Sequence, residues 1–236
     1  MKIGTTLISS VEFHGNMSLV IFLAGCPLRC PYCHNGEILE DGDDIDIGEV
    51  YKVIDDSKDF IDAVDVSGGE PLSQLDDLIS ILRVAKKLGL KTKLDTSGVY
   101  PDRLKKVLDL NLVDYVAMDI KSPFEKYETI IGSNIGENVK KSMELVNQYD
   151  KTYLECRTTY VPGLLKPEDI IDISYEINCN VYTLQQFRNR SVLDEDLKDI
   201  ESPNPHELKD MAKKIKSILK DSVIKVKSAE FGEEVI

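Results

Sequence analysis

The stretch "YVAMDIK", Tyr115 to Lys121, has two faces. Its aromatic and β-branched residues mark a strand, and successive strand residues point to opposite sides. Val116, Met118 and Ile120 then share an apolar side, while Tyr115, Ala117, Asp119 and Lys121 share a polar one. The same split recurs in "KTKLDT" (91–96), where Lys91, Lys93 and Asp95 oppose Thr92 and Leu94. It recurs again in "YLECRTTYV" (153–161), where Tyr153, Glu155, Arg157 and Thr159 oppose Leu154, Cys156 and Thr158. A face carrying Lys, Asp, Glu and Arg in three strands is no dry core unless its charges are paired or bind something. The pattern predicts strands packed on helices by one side and lining a polar lumen with the other.

Working outward, "LVIFLA" (19–24), "AVDVS" (63–67) and "VYTLQQF" (181–187) bring the strands to six, and "VIKVK" (223–227) is a candidate seventh. Helical patterns separate them. From Ser73 to Leu88 the residues Leu75, Leu78, Ile79, Leu82, Ala85 and Leu88 form one stripe, with Ser73 as a plausible N-cap and Gly89 at C′. A late helix opens at Asn204-Pro205 and carries Leu208, Met211, Ala212, Ile215 and Leu219 on one face. Strand-helix alternation implies a parallel sheet with right-handed crossovers. Six units are too few for a closed eight-stranded barrel, so the expectation is an α/β fold, a partial (β/α)6 TIM-like barrel. No Pro/Ser-rich linker divides the chain, which predicts a single domain over 1–236.

Composition narrows the function. Among 236 residues, 42% are apolar and 30% charged, and no apolar run approaches the roughly 18 residues of a spanning helix. Met1 to Ser10 lacks the features of a signal peptide. A net charge of −13, with no interrupting basic cluster, argues against nucleic acid as a partner. Five cysteines, three of them crowded together, suit a reduced cytoplasmic setting with metal or redox chemistry. The acidic run "EDGDDID" (40–46) reads as a solvated loop.

The crowded cysteines are Cys26, Cys30 and Cys33, spaced C-x3-C-x2-C on a long connection after the first of these strands. Such loops in compact domains are usually functional. A zinc site would need His34 or His14 as a fourth ligand. A four-cysteine iron–sulfur carrier would need Cys156 or Cys179, yet Cys156 falls on the helix-facing side of its strand and Cys179 precedes its strand, at the far barrel end. The third reading is a cubane cluster with three protein ligands and one iron open to a chelating substrate.

"CPLRCPYC" resembles the signature of the radical S-adenosylmethionine (SAM) superfamily, with Tyr32 as its aromatic residue. The resemblance implies a 4Fe-4S cluster on Cys26, Cys30 and Cys33 that reductively cleaves SAM to a 5′-deoxyadenosyl radical. It places Tyr32, Cys33 and His34 beside SAM. "SGGEP" (67–71) resembles the family's GGE segment, implying that Gly68, Gly69 and Glu70 hold the methionine amino group. "LDTSG" (94–98), "MDIK" (118–121) and "RTTYVPG" (157–163) resemble segments of glycyl-radical-enzyme activases. They imply SAM contacts from Asp95, Thr96, Asp119, Ile120, Lys121 and Arg157, with a monovalent cation near Asp95 and Asp119. In "LQQF" (184–187), Gln185, Gln186 and Phe187 occupy the place that closes over adenine, Gln186 being the expected contact, although pyruvate formate-lyase activases carry a His-containing motif there.

The order of segments most resembles activating proteins of anaerobic ribonucleoside-triphosphate reductase. This implies a glycyl-radical enzyme as protein substrate and flavodoxin or ferredoxin as one-electron donor. One departure is "SSVEFHG" (9–15), which has Glu12 and His14 where relatives carry Asp and Pro; that segment is a candidate for touching the target. Two rival readings stay open: a radical SAM enzyme acting on a small molecule such as a 7-deazapurine precursor, and a non-catalytic iron–sulfur electron carrier.

Overall fold

The computed structural model describes residues 1–236. β1 (Lys2–Ser9) and β2 (Ser18–Leu23) form an antiparallel hairpin, and β3 (Asp43–Asp44) touches the outer edge of β1. Six strands continue parallel to β2: β4 (Ala63–Gly68), β5 (Lys91–Thr96), β6 (Tyr115–Asp119), β7 (Tyr153–Tyr160), β8 (Val181–Gln186) and β9 (Val223–Ser228). β10 (Gly232–Val235) turns back antiparallel on β9. The sheet order is β10-β9-β8-β7-β6-β5-β4-β2-β1-β3, so the curved sheet does not close on itself. Helices fill the crossovers: α1 (Ile47–Ser57), α2 (Leu75–Lys87), α3 (Pro101–Asp109), α4 (Tyr127–Ile131), α5 (Gly136–Val146), α6 (Pro167–Glu176) and α7 (Pro205–Ile218). The partial barrel expected from strand alternation is what forms, with "VIKVK" as part of a seventh parallel strand.

Local sequence explains the helix ends. The α7 start is as expected, with the Asn204 side chain accepting from His206 N at 2.9 Å ahead of Pro205. Gly89 takes the left-handed φ of 78° just beyond α2. Ser73, however, is not an N-cap. Pro71–Gln74 form a 3-10 turn whose cap is Glu70, accepting from Leu72 N at 3.1 Å, and α2 begins only at Leu75. Pro71 holds the φ that this tight turn needs, so the regular helix is delayed.

Three antiparallel strands, β1, β10 and the two-residue β3 inside the acidic run expected as a loop, were absent from the sequence reading. All are largely exposed, so none shows the alternation that burial imposes. The hairpin's connection matters more. Phe13 is buried against Tyr115 at 5.1 Å between ring centroids, and Tyr115 lies parallel to Tyr153 at 6.3 Å. Tyr115 and Tyr153 start their strands, so this loop plugs the N-terminal end of the barrel. Glu12 and His14 lie in it, 3.8 Å from Lys227 and 3.4 Å from Glu233 respectively. The segment considered for target contact therefore closes the barrel floor, at the opposite end from the cysteine loop. Replacing Phe13 with Ala should cost about 3 kcal/mol of stability, read as a lowered urea midpoint at unchanged slope.

Candidate active site

After β2 the chain leaves the barrel through the cysteine loop. Backbone bonds fold that loop over the strand ends: Gly25 N donates to Ile38 O at 2.7 Å, Cys26 N to Leu39 O at 2.9 Å and Cys33 N to Cys30 O at 3.0 Å. Asn35 Nδ2 ties it to Gly68 O at 3.0 Å. Cys26, Cys30 and Cys33 are all free thiols lining one cavity of about 240 Å³. Burial pushes the Cys26 thiol up to about 11 and raises Cys30 as well.

The donor set fits a cluster better than a single ion. No three His, Cys, Asp or Glu side chains converge on one metal-ion position, as a tetrahedral zinc site demands. His14 is at the floor, and His34 Nδ1–H donates to Arg190 O at 2.8 Å. Cys156 and Cys179 are buried and absent from the cavity wall. Three thiols spread around a cavity leave room for a multi-iron group and for a ligand beside it.

The β4 loop meets the cysteine loop through two glycines. Gly68 has φ 124°, and a Cβ there would strike the Leu23 backbone; a Cβ on Gly69 would strike Gly25 O and press on Cys26. Only bare backbone allows Gly69 N to reach Leu23 O at 2.9 Å and Glu70 N to reach Gly25 O at 2.8 Å. Glu70 departs from expectation. Its carboxylate is wholly buried and accepts from Thr96 Oγ1 (2.9 Å), Ser97 N (2.8 Å), Ser97 Oγ (2.5 Å) and Leu72 N (3.1 Å). With its acceptor capacity met inside the protein, it braces the β4 and β5 loops and does not face the cavity.

Below the thiols lies a chain of charges. Lys93 Nζ sits between Asp65 Oδ2, at 2.7 Å, and Asp95. Arg157 joins Asp95 to Asp119, with Nη1 3.0 Å from Asp95 Oδ2 and Nε 2.9 Å from Asp119 Oδ1. Lys121 Nζ completes it, 3.2 Å from Asp119 and 5.9 Å from the Tyr32 ring centre. Arg157 is on β7 and Asp95 on β5, so the guanidinium must cross β6. The β6 residue in register with Asp95 is Ala117, small enough to be crossed. Burial alone would raise the Asp119 carboxyl, but Arg157 and Lys121 outweigh it and hold the group down to about 2.

Asp95, Thr96, Asp119, Lys121, Arg157, Tyr32, His34, Gly68 and Gly69 thus gather with the three cysteines on one cavity wall. Besides Glu70, two expected residues do not. Ile120 packs its side chain in the core on the helix side and contributes only backbone bonds, from its N to Arg157 O at 2.8 Å and to its O from Thr158 Oγ1 at 2.8 Å. Gln186 also points outward, donating to Pro203 O at 3.0 Å and accepting from Ala229 N at 2.8 Å. The period of two gives the cavity position to Gln185 instead. Thr159 lines the cavity as its place on the polar face of β7 implies, and Ser67 and Ser97 line it without having been singled out. Alternation in "AVDVS" marks Asp65 and Ser67 as lumen residues in advance, an overlooked signal.

Arg157→Gln would leave Asp95 and Asp119 facing each other without their shared cation, at a cost of about 3–5 kcal/mol in chemical denaturation. Asp119 also gives an acid signature. Its depressed carboxyl, at about 2 against an ordinary 3.8, contributes stability that is complete above about pH 4 and lost as pH falls toward 2. The melting temperature of the protein should fall through that window, and Asp119→Asn should flatten the decline.

Comparison with known proteins agrees with this geometry. The Radical SAM superfamily model matches residues 20–174. A Methanocaldococcus jannaschii protein named for glycyl-radical enzyme activation is 35% identical over 235 residues, covering 97% of both chains. The pyruvate formate-lyase-activating enzyme of Streptococcus mutans is 31% identical over 187 residues, covering 72% of this chain and 71% of its own. Among solved structures, Streptococcus suis SuiB bound to precursor peptide SuiA superposes with a TM-score of 0.72 at 15% identity, over 89% of this chain and 48% of SuiB, a likeness of fold alone. The thiol loop, the glycine-lined approach and the full-length similarity lead to one conclusion: the chain belongs to the radical SAM superfamily, among the glycyl-radical enzyme activating enzymes.

Proposed function

We propose that this protein, as one domain over residues 1–236, abstracts hydrogen from a glycine of a partner glycyl-radical enzyme, with anaerobic ribonucleoside-triphosphate reductase as the expected partner. The observation that carries the reading is that Cys26, Cys30 and Cys33 open on the same cavity as the Asp95–Arg157–Asp119–Lys121 chain. A 4Fe-4S cluster on the three thiols would supply the single electron that cleaves SAM to the 5′-deoxyadenosyl radical. The chain's own residues bind and orient. Asp119 and Lys121 present opposite charges at 3.2 Å, suited to a ligand that carries both an ammonium and a carboxylate. Gly68 and Gly69 expose backbone against the cysteine loop, and Glu70 fixes that backbone from behind.

The guanidinium of Arg157 lies between Asp95 and Asp119, the residues near which a monovalent cation is expected, and it supports a reading in which the protein supplies that charge itself. A one-electron donor such as flavodoxin or ferredoxin completes the chemistry. Five free cysteines are consistent with a reducing cytoplasm, and no helix is long and apolar enough to cross a membrane.

Anaerobic reconstitution tests the cluster. Cys26→Ala, Cys30→Ala and Cys33→Ala should each abolish the SAM-responsive iron–sulfur signal in electron paramagnetic resonance, while Cys156→Ala and Cys179→Ala retain it. Loss of the cluster in the last two would favour a four-cysteine carrier. For the substrate, dithionite-reduced protein with SAM and the anaerobic reductase should yield 5′-deoxyadenosine and a glycyl doublet. Production of 5′-deoxyadenosine with no doublet on any glycyl-radical enzyme offered would turn the reading toward a small-molecule substrate.

A further inference from the structure

Asp65 and Lys93 lie beneath the thiol cavity and form no part of its wall. Both side chains are enclosed, at 0% and 1% exposure. They stand in register on β4 and β5, and Asp95 follows Lys93 on the same face of β5. The Lys93 ammonium therefore sits between two carboxylates, 2.7 Å from Asp65 Oδ2 and bonded to Asp95 Oδ1. The other oxygen of Asp95, Oδ2, accepts from Arg157 Nη1 at 3.0 Å and Ser67 Oγ at 3.3 Å. Asp65 has Lys93 as its one partner, and its Oδ1 is buried with none. Burial works to lower the Lys93 ammonium, but Asp95 and Asp65 outweigh it and keep the group charged. As a brace for the fold this arrangement is poor, because an apolar filling serves as well and the orphaned oxygen adds a cost. Its effect is local: one oxygen of Asp95 is fixed from below, and the charge of Lys93 is balanced behind the cavity wall on which Asp95 stands.

We propose that Lys93 is a tethered monovalent cation, its ammonium filling an ion site made by Asp65 and Asp95 and so positioning Asp95, and through it Arg157, to receive SAM; this rests on the function proposed above. Asp65 and Lys93 are positioning residues, since neither reaches the ligand cavity. A lysine suits the task because its ammonium is a compact point charge on a flexible stem. The tether makes capture intramolecular, so the site stays filled whatever salt surrounds the protein. Methionine at position 93 would keep most of the stem and lack the ammonium, leaving space for one small cation between two carboxylates. The 2.7 Å distance from nitrogen to Asp65 Oδ2 suits potassium or ammonium better than the smaller sodium ion. A free ion also has a way in, through the floor cavity of about 180 Å³ that reaches from Lys93 to the exposed His14.

The test compares Lys93→Met with the unaltered protein in potassium, ammonium and choline chloride at equal ionic strength. Without the cluster, Lys93→Met should melt at a lower temperature in choline and recover in potassium or ammonium, while the unaltered protein melts alike in all three. With the cluster, the KM of Lys93→Met for SAM should rise by about tenfold or more in choline and return toward the unaltered value in potassium, the larger part of the loss lying in KM and not in kcat. Asp65→Asn/Lys93→Met keeps the buried charge balanced and serves where the single variant does not fold. It should respond to no cation and bind SAM more weakly in calorimetry than the unaltered protein. Equal melting of Lys93→Met in all three salts would overturn the proposal, as would the same potassium dependence in the unaltered protein or unchanged SAM affinity in the double variant. A Lys93→Met protein that ignores potassium and is stabilised by acid has taken up a proton instead of a cation, which also overturns it. Dithionite-driven SAM cleavage by the unaltered protein checks the underlying function separately, because the melting response needs neither cluster nor SAM.

Discussion

The guanidinium of Arg157, held between Asp95 and Asp119, is the contact on which the barrel interior depends. It joins Asp65 and Lys93 below to Lys121 above, so that three carboxylates (Asp65, Asp95, Asp119) meet three cations (Lys93, Arg157, Lys121). Taking charges out of water is costly, and an apolar filling serves stability as well or better. The lumen nonetheless carries this chain, which points to use by a ligand with charges of its own. Order comes with it: Arg157 ties β7 to β6 and, past Ala117, to β5.

Around that interior, function is built from loops at the C-terminal strand ends. Each is fixed to its neighbour by a specific device. Gly68 and Gly69 let the β4 loop come against the backbone of Leu23 and Gly25. Glu70 collects donors from the β5 loop, and Asn35 returns the cysteine loop to Gly68. The result holds three thiols on a wall whose position is set by three segments, the cysteine loop and the loops after β4 and β5. Such rigidity belongs to a site that must place a reactive species without losing it to water. The other end of the barrel is closed differently, by Phe13 on Tyr115 and by the ion pairs of Glu12 and His14.

Much of this was legible in the chain because the parallel strands are buried by their helix-facing sides. Alternation in 91–96, 115–121 and 153–161 marked the lumen side chains, and the partial barrel followed from their repetition. The same rule failed where burial is weak, at β1 and β10, and where a functional resemblance was allowed to override it, at Gln186. That residue shares a strand with Gln185 but faces the opposite way. Ser73 was misread because Pro71 imposes a 3-10 turn before the helix proper.

By itself, then, the sequence determined the strand-helix order, the polar lumen and the three-thiol loop, because each is a local pattern enforced by chain geometry. Only the tertiary structure decided how those residues are used. Glu70 turned inward because the end of β5 offers it three donors at once, from Thr96 and Ser97. Arg157 took the place between two aspartates because β6 presents only Ala117 in its path. The Glu12–His14 segment went to the floor because an antiparallel hairpin returns its turn to the barrel's N-terminal end. Each outcome is set by neighbours distant in the chain, and no spacing along the chain encodes them.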